Sequence, residues 1–200
     1  MKNETSNRQD HISTYEALFN YIIQQLQSII SNININTSAT TSATTTIFWE
    51  EVFTSNCQIN DKLKTIFQVW TDSSIVSEIT TAGYQIIASP SNYWYLNTGS
   101  NTWTHIYSYN PTMNLNNLKQ RNLVIGGELA LWGEYVDDNN IIASIYPRAS
   151  AGAERLWSNE NVTNTNDAVD RLFIQRCRMI NRGFNIGPVQ PGGYCSDVYV

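Results

Sequence analysis

The chain has 200 residues, 42% of them hydrophobic, with six tryptophans and a formal net charge of -5. That is enough apolar matter for one sizeable core, so disorder is expected only in local segments. The acidic balance, without blocks of like charge, excludes a nucleic-acid surface, and no run approaches the roughly 20 apolar residues that cross a bilayer.

The first residues, MKNETSNRQDHISTYEALF, contain no apolar core of the kind an export signal needs, so no signal peptide is expected within the chain. Ser13 followed by Glu16 fits a capping box, and Leu18, Phe19, Ile22, Leu26, Ile29 and Ile30 recur at helical spacing. This predicts a helix over about 15–30. Residues 32–45, rich in Asn, Thr, Ser and Ala, are too polar to pack and read as a low-complexity surface loop. Short β-branched runs then predict strands over 46–49, 65–70, 84–88 and 123–125. A helix over 74–82 is stopped by Gly83; further helices are predicted over 149–157 and 167–182, the last ended by Gly183, with a Gly/Pro-rich tail over 183–200. Strands that alternate with helices pair in parallel through right-handed crossovers. The fold class expected is α/β, and four such strands make half of an eight-stranded barrel.

The strand ends carry the chemistry. Trp49, Glu50 and Glu51 close the first strand, Trp70 the second, Trp94, Tyr95, Leu96 and Asn97 follow the third, and Glu128, Trp132 and Glu134 follow Gly126 and Gly127 of the fourth. A single tryptophan at a strand end reads more readily as core. Repeated on every strand, aromatics interleaved with Glu and Asn suit a sugar ring, whose C–H faces lie on π-systems and whose hydroxyls meet carboxylates and amides. Strand alternation would send only one of Glu50 and Glu51 inward, and leaves open which. Glu128, Arg148, Glu154 and Arg155 read as a structural network tying the last helices to the barrel base rather than as catalytic groups. Asp137 and Asp138 read as a solvated turn, and His11 and His105 as surface residues. Phosphate loops, dinucleotide fingerprints and zinc spacings are absent from the sequence, so no cofactor and no metal is expected.

Cys177 and Cys195 flank the tail, and their spacing leaves a disulfide and two separate thiols equally open; a bridge there would contribute on the order of 3 kcal/mol. Cys57 has no evident partner and reads as a free loop thiol. Asn3, Asn36 and Asn161 head N-x-[ST] triplets, which are either glycosylation sites or chance matches in a chain rich in Asn, Ser and Thr.

The run WGEYVD, followed by PRA and AERLW, resembles the C-terminal end of the catalytic barrel of the lysosomal-type β-hexosaminidases, glycoside hydrolase family 20, and the resemblance extends over almost all the remaining chain. It implies strands 5 to 8 of a (β/α)8 TIM barrel, so that residues 1–200 are part of one catalytic domain. A whole barrel takes about 250 residues, and half of one leaves two apolar edges unpaired. The chain is therefore expected to be the C-terminal part of a longer enzyme; the alternative is an inactive truncated remnant that serves as a sugar-binding or structural module. The resemblance implies that Trp49, Trp70 and Trp132 wall an N-acetylglucosamine pocket, that the Tyr95 hydroxyl holds the acetamide carbonyl, that Asn97 lies at the rim, and that Glu134 accepts from sugar hydroxyls. The family's arginine for sulfated substrates, next after that asparagine, is Thr98 here, which implies preference for neutral substrates. The implied activity is exo-hydrolysis of terminal N-acetylglucosamine or N-acetylgalactosamine from oligosaccharides, glycoproteins or glycolipids by a retaining, substrate-assisted route. The family's Asp-Glu acid/base pair, in a GGDE-type motif, has no match in this sequence, so the isolated chain is expected to be inactive. The resemblance also implies a Cys177–Cys195 bridge, a lysosomal or secreted setting, and a homodimer as an option for the full-length protein.

Overall fold

A computed structural model describes residues 14–36, 44–97 and 99–195, without the side chains of 34–36. Helix α1 (Tyr15–Asn36) leads into β1 (Thr46–Trp49), α2 (Glu51–Thr54), β2 (Thr65–Val69), α3 (Ile75–Thr81) and β3 (Gln85–Ala88). Three short helices follow, α4 (Ser91–Trp94), α5 (Trp103–Ser108) and α6 (Leu118–Arg121), before β4 (Val124–Gly127). The chain ends in α7 (Ile141–Ile145), α8 (Arg148–Trp157), α9 (Thr165–Asn181) and the tail.

All three strand pairings are parallel, in the order β1-β2-β3-β4. Successive right-handed crossovers in that order place the covering helices on one face, as in a barrel wall and unlike a doubly wound sheet. On the covered face Phe67, Val69, Ile86 and Ala88 are fully buried with Val52, Val76 and Ile79. The other face leaves Ile47 and Ile125 half exposed, at 56% and 48%. Among the described residues β1 and β4 each keep one edge without a neighbouring strand. A second core of Tyr107, Ala151, Ala168, Leu172 and Val189 joins α5, α8 and α9.

Local signals explain the boundaries. Gly83 and Gly183 adopt φ of +86° and +88°, and each follows a helix whose last carbonyls bond back across it: Tyr84 N donates to Ile79 O at 3.2 Å and Phe184 N to Met179 O at 3.1 Å. This left-handed stop strongly favours glycine. The first helix runs beyond its expected end at Ile30 because Ile33 continues the apolar spacing and Asn costs only tenths of a kcal/mol in a helix. Residues 32–36 are thus helical rather than loop, and 37–43 lie outside the described residues. Asn36 is the last residue of α1, Asn161 is exposed between α8 and α9, and Asn3, His11 and Thr98 lie outside the described residues.

The Cys177–Cys195 disulfide is present, with 5.3 Å between its Cα atoms. It pins the tail to α9, where Arg176 Nε donates to Gly187 O at 2.8 Å. Cys57 is a free thiol in a loop, as expected, and it is buried, which pushes its thiol up. No helix among the described residues is long and apolar enough to cross a membrane.

Candidate functional site

The C-terminal ends of parallel strands are where the chain turns into loops, and four such ends meet in an open groove of about 1020 Å³. Trp49, Trp70, Tyr95, Asn97, Trp132 and Glu134 all line it, and the groove continues over Ile47 and Phe48 to Tyr15 and Phe19 of α1. The structure therefore brings together the six side chains singled out from the sequence, although 83 residue positions separate Trp49 from Trp132.

Four rings form a connected wall. Trp49 meets Trp132 at 6.4 Å between centroids, Trp132 meets Tyr95 at 6.1 Å, and Tyr95 stacks on Trp70 at 6.2 Å with 21° between planes. Trp49 and Trp132 are 43% and 42% exposed, so their faces remain open to a ligand. Trp94, by contrast, is wholly buried, its indole N–H donating to Ile106 O at 3.1 Å. A Cβ on Gly127 would overlap that ring and stand 2.7 Å from Ala88 O, so this glycine serves packing.

Tyr95 and Asn97 reach the groove because the chain after β3 stays paired with the chain after β4. Tyr95 bridges Ala130; Leu96 N donates to Ala130 O at 2.8 Å and Ala130 N to Trp94 O at 3.0 Å. The buried Asn101 amide donates to Tyr95 O at 2.8 Å, and Arg148 Nη2 donates to Leu96 O at 2.5 Å. Asn97 Nδ2 makes a long 3.5 Å contact with Glu134 Oε2, while Asn97 Oδ1 is buried without a hydrogen-bond partner among the described residues. An unpaired buried acceptor costs about 1–3 kcal/mol.

Burial is the main cause that raises the Tyr95 hydroxyl above the usual phenol range; a hydrogen bond with Trp132 opposes it, and the charges of Glu128, Glu50 and Glu51 add to the rise. The group is thus a neutral donor at physiological pH. Its folded value lies above that of a free tyrosine, so the group leaves stability unchanged below about pH 10 and lowers it as pH rises through the raised value. Ultraviolet titration is expected to show Tyr95→Phe removing a phenol that ionises above about pH 10. A missing component at or below that pH would contradict the buried environment.

The remaining charged residues fall into separate roles. Gln68 Nε2 donates to Glu128 Oε1, so Glu128 belongs to the open face of the sheet and not to the helix network expected for it. Glu154 pairs with Arg171 at 2.6 Å and accepts from Tyr107 Oη at 2.8 Å. Arg155 is buried and donates to main-chain carbonyls, whereas Arg148 braces the Tyr95–Asn97 segment beside the groove rather than the far end of the sheet. Asp137 and Asp138 lie in an exposed turn, closed by Asn139 N donating to Asp137 Oδ1 at 2.8 Å. His105 is half-buried rather than on the surface, stacked on Tyr93 at 4.6 Å.

The expected ambiguity between Glu50 and Glu51 resolves in an unexpected way, because both turn toward Trp70. Glu50 already has helical dihedrals, φ -58° and ψ -20°, so strand alternation ends at Trp49. The pairing of Glu50 and Glu51 with Trp70 was not visible in the sequence. The only local signal was a carboxylate pair directly after a strand.

Known proteins resemble the chain in sequence and in fold. Residues 2–160 match the model of the glycosyl hydrolase family 20 catalytic domain. The chain is 39% identical over 191 residues to human beta-hexosaminidase subunit beta, covering 91% of this chain and 31% of that protein. It is 36% identical over 151 residues to beta-hexosaminidase 3 of Arabidopsis thaliana, covering 74% of this chain and 28% of that protein. It spans about a third of the length of these curated relatives. Among solved structures, the fold is similar to the family 20 exo-β-N-acetylglucosaminidase of Vibrio harveyi in complex with N-acetylglucosamine, with a TM-score of 0.75, 18% identity, and coverage of 88% of this chain and 28% of that one. The β-N-acetylhexosaminidase of Streptomyces coelicolor gives a TM-score of 0.71 at 19% identity, covering 94% of this chain and 39% of that one.

Proposed function

The chain belongs to glycosyl hydrolase family 20, and from that premise we propose that it supplies the N-acetyl pocket and hydroxyl contacts of an exo-acting β-N-acetylhexosaminidase. The observation that carries this reading is the connected wall of Trp49, Trp132, Tyr95 and Trp70, which lines one groove together with Asn97 and Glu134. Rings beside an amide and a carboxylate suit a pyranose with an acetamide arm.

Most glycosidases set two carboxylates across the scissile bond, and family 20 is a known exception that uses the substrate's own acetamide. In that route the acetamide carbonyl oxygen attacks the anomeric carbon as the glycosidic bond breaks, giving an oxazolinium ion. The Tyr95 hydroxyl, kept neutral by burial, donates to that oxygen and holds it against the sugar carbon. The tryptophans enclose the acetamide methyl and exclude water from the intermediate, while Glu134 and Asn97 hold the ring by its hydroxyls. The Asp that orients the acetamide N–H and the Glu that protonates the leaving oxygen have no counterpart in this sequence. This chain therefore binds and orients, and by itself turns nothing over. Its disulfide supports an oxidising setting, lysosomal or secreted.

Titrating the chain with N-acetylglucosamine is expected to shift the indole resonances of Trp49, Trp70 and Trp132, whereas glucosamine, which lacks the acetyl group, leaves them in place. No release from 4-nitrophenyl N-acetyl-β-glucosaminide is expected from the chain alone. Equal responses to the two sugars, or none to either, would refute the acetamide pocket; measurable release would refute the assignment of roles.

A further inference from the structure

Two carboxylates that the proposed chemistry does not use stand side by side at the end of β1, and both are spent on one aromatic of the pocket. Glu50 is only 2% exposed. Its Oε2 accepts from Trp70 N at 2.9 Å and from Thr71 N at 3.5 Å, and its Oε1 accepts from the Thr71 hydroxyl. Glu51 Oε1 accepts from the Trp70 indole N–H at 2.6 Å. The first carboxylate thus holds the backbone from which the indole projects, and the second holds the edge of the indole itself.

We propose that Glu50 and Glu51 are positioning residues that set which face of Trp70 the pocket presents, an inference that rests on reading Trp70 as a wall of the sugar site. Trp70 is half-buried and lines an open groove, with its ring stacked on Tyr95. An indole has one N–H, so tying that edge to a carboxylate removes rotation about the Cβ–Cγ bond. A charged acceptor makes this tie stronger than a neutral one. The stack on Tyr95 then transmits the orientation, since a rotated Trp70 would lose its near-parallel contact and free the ring whose hydroxyl meets the acetamide. Glu50 is required because the indole edge and Glu51 stay in register only while the end of β2 stays beside the start of α2. Both carboxylates act through Trp70, Glu50 from outside the groove and Glu51 from its lining.

The test uses the full chain with its six tryptophan indoles labelled with nitrogen-15, the Trp70 resonance being assigned through Trp70→Phe. In Glu51→Ala the Trp70 indole proton is expected to move upfield as its carboxylate is lost, and the dissociation constant for N-acetylglucosamine to rise about tenfold, equivalent to about 1.4 kcal/mol. Glu51→Gln keeps an acceptor oxygen and is expected to return the resonance most of the way and the affinity to within about threefold of the parent. The thermal midpoint should stay unchanged in both, because Glu51 is partly exposed at the start of a short helix. An unmoved Trp70 resonance in Glu51→Ala overturns the proposal, as does a moved resonance with unaltered affinity or a Gln variant no better than Ala. If N-acetylglucosamine perturbs none of the pocket indoles in the parent chain, the sugar-site reading fails separately. The Trp70 resonance of Glu51→Ala still decides whether the carboxylate holds the ring.

Discussion

Replacing Arg155 by methionine is expected to destabilise the chain by about 3 kcal/mol, a large effect for a polar side chain away from the groove. Arg155 is 5% exposed, and its guanidinium donates to Tyr109 O at 3.0 Å and Glu160 O at 3.1 Å, with longer bonds to Val162 O at 3.4 Å and Asn159 O at 3.5 Å. One planar group thus satisfies four carbonyls from two loops, the end of α5 and the turn between α8 and α9. Methionine keeps most of the apolar stem, so the loss measures the hydrogen bonds rather than the packing. Lysine is expected to do little better, because an ammonium cannot spread its donors over the same fan. Urea unfolding should show the midpoint falling with an unchanged slope. A loss below about 1 kcal/mol would mean that water replaces the guanidinium at those carbonyls.

Trp132→Ala should give the largest change in ligand affinity, a loss of about 30-fold for N-acetylglucosamine, equivalent to about 2 kcal/mol. Trp132 is an inner ring of the wall and meets both Trp49 and Tyr95. Its removal takes away one sugar-facing surface and releases the phenol that meets the acetamide. Stability should change little, since the ring is 42% exposed. Trp157→Ala, at a position 91% exposed and outside the groove, is the matched control and should change neither affinity nor stability. Calorimetric titration of both variants separates the two cases. Equal losses in the two would show that the response comes from general damage.

Much of the architecture was legible because its signals are local. The apolar spacing of α1, the β-branched strand runs, and the glycines that stop α3 and α9 lie within a few residues of the structure they specify, and the expected boundaries held to within one or two residues over β1 to β4. The short helices between β3 and β4 were missed, since four to six residues are too few to show a period. The end of α1 was misplaced because the polar composition of residues 32–36 outweighed the single apolar signal of Ile33. The family motifs implied the bridge between Cys177 and Cys195, which spacing alone had left open.

The sequence by itself determined that aromatics and carboxylates would collect at one edge of a parallel sheet. Every strand ends in them, and parallel strands end on the same side. Only the tertiary structure decided what those groups do to one another. Glu50 and Glu51 both turn to Trp70, Glu128 pairs with Gln68, and Arg148 braces Leu96 rather than the base of the barrel. The physical reason is range. Periodicity and capping act between neighbours in the chain, whereas these partners stand 19 to 60 residues apart, where strand register and the point at which each strand gives way to a helical turn choose which polar atom meets which.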